Sequence, residues 1–180
     1  MGTRFNLFPV VCDAHGVPWA EATVYILSRL EGVFRPNMGT YGRLADDLVA
    51  FRRFIDESGI DWTVFEKNKL RRPTYRYKGH LKLAVDANEV AATTARRRMG
   101  VVVAFYRWLR EEGVLSPEHS PWKEADRYIE FSDARGAKVS KRVKTTDLAI
   151  KVPKAATPIR LKLMTAVGFD RCRRMSSVGF

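Results

Sequence analysis

Apolar residues recur at helical spacing in several stretches of the chain. The clearest runs from Thr93 to Gly113, where Ala95, Met99, Val102, Tyr106 and Leu109 follow one another at steps of four and three. That is one face of an α-helix. Thr93 and Thr94 can accept hydrogen bonds from the free N–H groups of its first turn, and Gly113 can close it in a left-handed conformation. A second helix is predicted from about Thr40 to Ser58, with Tyr41, Leu44, Leu48, Phe51 and Ile55 inside and Gly59 as the stop. Its outer face would carry Asp46, Asp47, Arg52, Arg53, Asp56 and Glu57, all solvated. Upstream, residues 7 to 19 hold a short apolar strand and a turn at 13–16. Pro18 would then open a helix to about Glu31, with Ala22, Tyr25, Ile26, Leu27 and Leu30 turned inward. Pro73 and Thr74 mark a further helix start, with Leu81, Leu83, Ala84 and Val85 as its apolar surface.

The period then changes. Residues 127 to 146 alternate polar with apolar on either side of a turn at 134–137, which predicts a β-hairpin. Hairpins standing alone are only marginally stable, so this one is expected to pack on something, the N-terminal strand being the candidate. Ile159, Leu161, Leu163, Met164 and Val167 suggest one more helix, and residues 171–180 read as a tail. The fold class expected is mainly α: a small helical bundle with an added β-hairpin and a short N-terminal strand. The chain divides into an N-terminal strand–turn–helix extension (1–38), a helical domain (39–118), the hairpin (119–152) and a basic tail or the start of a further, truncated domain (153–180).

Charge sharpens this picture. The 180 residues carry 32 Lys and Arg against 20 Asp and Glu, a net charge of +12. Such a surface favours anionic partners, chiefly nucleic acid or an anionic membrane face. The cations are also clustered. Lys67, Lys69, Arg71, Arg72, Arg76, Lys78 and Lys82 lie close together with Tyr75 and Tyr77 among them, a mixture suited to a phosphate backbone. Arg96, Arg97 and Arg98 occupy one turn of the Thr93–Gly113 helix, too close for all three to be buried. Arg96, Arg107 and Arg110 share a second face, so that helix is apolar on one side and basic on the other. Lys138, Lys141, Arg142 and Lys144 make the second arm of the hairpin a basic ribbon.

Other chemistry is missing from the pattern. No phosphate-cradling Gly-rich loop, dinucleotide fingerprint or nucleophile elbow occurs. The neighbouring acids, Asp46 with Asp47 and Glu111 with Glu112, read as solvation and capping. Cys12 and Cys172 lie far apart, and His15, His80 and His119 are scattered. No metal site, cofactor or catalytic residue is expected. No apolar run approaches the roughly 20 residues that span a bilayer. The two cysteines fit reduced thiols in a cytoplasmic protein.

The strings Leu44-Ala-Asp-Asp-Leu-Val-Ala-Phe-Arg-Arg-Phe-Ile55 and Ala92 to Val114, separated by the basic segment, resemble the core-binding domain of tyrosine recombinases, the group that includes phage integrases. Thr94, Arg96 to Arg98, Phe105-Tyr106, Trp108-Leu109 and Gly113 carry the likeness, which covers about residues 40 to 118. The resemblance implies a small SAM-like helical bundle that clamps one side of duplex DNA and meets other recombinase protomers only once assembled there. It implies a monomer in isolation, with neither a membrane nor a small-molecule substrate. The DNA-facing residues would be Lys67, Lys69, Arg71, Arg72, Arg76, Lys78, Thr93, Thr94, Arg96, Arg97, Arg98 and Arg107, joined by Lys141, Arg142 and Lys144 of the hairpin. In that family a separate domain holds catalysis: two arginines, a His-x-x-Arg element, a Lys and a nucleophilic Tyr. This chain departs from the pattern. It has no His-x-x-Arg string, no Tyr after Tyr128, and only about 35 residues beyond the hairpin. Gly168-Phe-Asp-Arg171 is one residue too long to be the family's first arginine stretch. The expectation is a non-catalytic, DNA-binding portion of a recombinase, with a stand-alone DNA- or RNA-binding accessory factor as the alternative.

Overall fold

A computed structural model describes residues 7–132, 136 and 138–152. Its central element is helix α4, Ala92–Glu111, whose Ala95, Met99, Val102, Tyr106 and Leu109 are all buried, as their spacing predicts. Phe105 joins them. The helix stops where the sequence places the stop: Gly113 has φ +68° and donates to the Arg110 carbonyl, while Leu115 N–H reaches back to the Leu109 carbonyl. Its start differs from the expectation. Ala91 is the N-cap, in extended conformation, and no side chain caps the end. Thr93 and Thr94 already lie within the first turn, two and three residues too late to take that position.

Three further helices pack around α4. Helix α1 is Ala20–Ser28, α2 is Met38–Ser58 and α3 is Pro73–Asp86, preceded by a 3-10 turn, Lys69–Arg71. Asn37 caps α2 by accepting from Gly39 N–H, and Gly59 ends it with φ +59°. Pro73 stands in the first turn of α3, where a missing N–H costs nothing. Helix α1 is shorter than predicted. Pro18 pairs with Cys12 in an isolated antiparallel bridge, and Trp19 N–H donates to the Val11 carbonyl. These bonds hold the backbone extended up to Trp19, so the helix starts after it. The expected N-terminal strand is this single bridge. Leu27 and Leu83, both read as inward-facing, are exposed.

Aromatic side chains fill the centre. Trp19 meets Phe105 edge-on with ring centroids 5.2 Å apart and Trp62 at 5.3 Å, while Phe51 meets Tyr77 at 5.0 Å. Edge-to-face pairs at such distances add to the burial of the rings themselves. Tyr106 is fully buried, and its hydroxyl donates to the Trp62 carbonyl at 2.7 Å. Val11, Trp122, Leu148 and Ile150, from the two ends of the described chain, enter the same core as the helices.

The hairpin is present. Strand β1, Glu124–Ser132, pairs antiparallel with β2, Lys138–Thr146, in a register that sets Asp126 opposite Lys144 and Tyr128 opposite Arg142. It begins three residues earlier than the alternation suggested. Its sheet holds only these two strands, so among the described residues it does not pair with the N-terminal segment, and the base of β2 borders α4 across a groove. It is anchored at its base. Asp147 N–H donates to the Lys123 carbonyl, and the Asp147 carboxylate accepts from Lys123 N–H at 3.0 Å and from the Tyr75 hydroxyl at 2.6 Å. Lys78 adds a bond to the Asp147 carbonyl. Leu148 and Ile150 then plunge into the core. The turn residues 133–135 and 137, the suggested helix at 159–167 and the tail at 171–180 lie outside the described residues.

Candidate nucleic-acid interface

The basic side chains sort into those that hold the fold together and those that remain on the surface. Arg72 belongs to the first kind. It is the residue before a proline, so its backbone is extended (φ −66°, ψ 142°). From there its guanidinium donates to three carbonyls: Glu66 at 2.6 Å, Ser120 at 2.7 Å and Lys67 at 2.8 Å. That fixes the basic loop against the segment before β1. Thr74 reinforces the joint, its buried hydroxyl bonding the Pro121 carbonyl. Lys78 is half-buried on Asp147, and that burial, together with the nearby Lys82 charge, lowers its pKa from the ordinary lysine value. Burial and the bond to Asp147 push the Tyr75 hydroxyl up to about 12.

Arg97 and Arg98 are engaged as well. Asp47, expected on the solvated face of α2, is 1% exposed. Its carboxylate accepts from Arg97 Nη1 at 2.7 Å and lies 3.8 Å from Arg98 Nε. Burial raises the Asp47 pKa and the two arginines only partly oppose this. So Arg97, whose side chain is 48% exposed, has one arm committed to an internal ion pair and the rest facing solvent. The Asp47–Arg97 contact ties α2 to α4. Its signal in the sequence was phase: Asp47 comes three residues after Leu44 and four before Phe51, in step with the inner face.

The remaining cations are surface groups. Lys67, Lys69, Arg71 and Arg76 are exposed on and before α3. Arg71 lies 3.4 Å from Glu66, and Lys69 Nζ sits 5.7 Å above the Tyr75 ring. Thr93 is exposed and Thr94 half-buried. On β2, Lys141, Arg142 and Lys144 are exposed, Arg142 paired with Asp126 at 2.5 Å.

Three of the predicted residues converge. Arg96 and Arg107 of α4 and Lys144 of β2 line one groove of about 260 Å³, walled by Met99, Gly100, Val103, Thr145, Thr146, Leu148, Ala149 and Ile150. Arg96 and Arg107 are eleven residues apart, three turns along the same side of the helix and about 16 Å at 1.5 Å per residue. No carboxylate lines this groove. Beyond its far end, Arg110 stacks over Trp122 at 5.9 Å. Lys67, Lys69, Arg71, Arg76, Lys141 and Arg142 do not line it.

A scan against protein-family models finds no match, and searches of curated proteins and of solved structures find none either. The fold and the groove are therefore what bears on function. Among the described residues no three His, Cys, Asp or Glu side chains cluster so as to hold a metal ion, and no helix is long and apolar enough to cross a membrane. What the surface offers is a cationic groove with fixed walls. Such a groove suits a string of phosphates: guanidinium and ammonium groups pair with the oxygens, and each pairing releases condensed counterions.

Proposed function

We propose that this chain binds duplex DNA through the face of α4 that carries Arg96 and Arg107, together with the base of β2, as the non-catalytic core-binding part of a site-specific tyrosine recombinase. The observation that carries the binding is the convergence of Arg96, Arg107 and Lys144, from elements far apart in sequence, on one groove that no acid lines. The recombinase assignment rests on the order and spacing of the strings 44–55 and 92–114. On this reading the protein clamps one side of the duplex and works beside other protomers assembled there, in the cytoplasm where the DNA is. The exposed cations of the 67–76 segment and of β2 extend the contact along the backbone.

A binding titration across salt tests this. Each phosphate neutralised on B-DNA adds about −0.9 to the slope of log K against log salt. The double variant Arg96→Ala/Arg107→Ala should flatten that slope by about 1.8 without loss of helical circular dichroism, since neither side chain reaches the core. An unchanged slope would remove the groove from the interface. Tighter binding to RNA or single strands than to duplex would point instead to an accessory factor.

A further inference from the structure

A second groove, of about 500 Å³, lies on the other side of α4, between that helix and α2, and none of the expectations drawn from sequence includes it. Arg29 from the end of α1, Arg43 and Thr40 from α2 and Arg97 from α4 line it, over a partly apolar floor. The one carboxylate in its wall is Asp47, which is buried and already paired with Arg97. Arg29 and Arg43 are exposed and have no carboxylate within ion-pair distance among the described residues. With Asp47 neutralising one guanidinium, the groove keeps a surplus of about two positive charges.

Its position matters as much as its charge. Gly100 lines both this groove and the one that holds Arg96, Arg107 and Lys144, so the two run along either flank of the same turn of α4. Between them, at Gly100, α4 presents backbone with no side chain. Two cationic tracks flanking one turn of a helix can both meet phosphates of a single duplex.

We infer that the α2–α4 groove is a second phosphate-binding track, in which Arg29 and Arg43, with the free face of Arg97 and the Thr40 hydroxyl, hold further backbone phosphates of the duplex met by Arg96 and Arg107. The inference rests on the duplex-binding reading above and adds residues to it. Arg29 and Arg43 provide the charge. Arg97 is held in place by Asp47, and Thr40 can donate to a phosphate oxygen at the rim.

The test uses the whole chain, a labelled duplex and a salt series. Arg29→Ala/Arg43→Ala should flatten the log–log slope by about 1.8, two phosphate contacts, and Arg29→Lys/Arg43→Lys should restore most of it, with unchanged circular dichroism and melting. If alanine disturbs the fold, Arg29→Gln/Arg43→Gln is read in the same way. A parental slope in the charge-removed variants, while Arg96→Ala/Arg107→Ala flattens it, overturns the second track and leaves the duplex reading standing. If no variant alters the slope, or the parent does not bind duplex, the functional reading itself falls.

Discussion

A carboxylate as closely enclosed as Asp47 binds its proton more readily than one in water. Burial raises its folded pKa above the ordinary 3.8, so the folded chain holds that proton at pH values where the unfolded chain has lost it. Asp47 therefore contributes stability below this window and loses it as pH rises through the folded value. Subtracting the unfolding free energy of Asp47→Asn from that of the parent, across pH, should give a curve that falls from about pH 4 upward and flattens towards neutrality. A difference curve that rises over this range would contradict the assignment. Arg97→Ala would leave the buried carboxylate with only the more distant Arg98, at 3.8 Å. We expect a loss of about 1–3 kcal/mol in urea unfolding, scaled down from a fully buried pair because Arg97 is half exposed. Sequence alone treats Arg96 and Arg97 as equivalent DNA contacts. The structure separates them, because the partner of Arg97 lies fifty residues away.

At the scale of elements, the buried face and the stop of α4 were legible and its cap was not: a strict run of threes and fours leaves little choice about which side is buried. The hairpin was legible in kind but not in attachment. Alternation reports that two strands pair, but it does not report what holds them. The short string after β2 supplies that hold, with Asp147 bridging to Tyr75 and Lys123 and with Leu148 and Ile150 inserted in the core. Four residues are too few to show a period. Asp147→Ala should therefore loosen the ribbon while leaving the helices packed. Hydrogen exchange should quicken at the amides of Lys123 and Asp147 and along β1, with α4 still protected, and the cost in stability should be about 1–3 kcal/mol. Equal acceleration in α4 would mean that the anchor is part of the core itself.

For the whole molecule, net charge pointed towards a polyanion, and the surplus of +12 is spread along the sequence. What composition could not separate is which cations fasten the chain to itself. Arg72 reaches Ser120 across 48 residues, Arg97 reaches Asp47 across 50, and Lys78 reaches Asp147 across 69. No local pattern registers partners at such separations. In the other direction, Arg29 and Arg43 drew no notice in the sequence because each stands alone there, without a basic cluster. Only folding brings them to the same groove.

Gly100 sits in the middle of α4, where a glycine weakens a helix by roughly 1 kcal/mol relative to alanine. A methyl group added there would touch nothing within 4 Å. Gly100→Ala should accordingly raise the melting temperature, and a fall would mean that the site is tighter than its geometry indicates. The same methyl would stand on the crest between the two basic channels. If a double helix rests on that crest, the sturdier protein should be the poorer binder, and a bare backbone at this point would be the footprint of what lies against it.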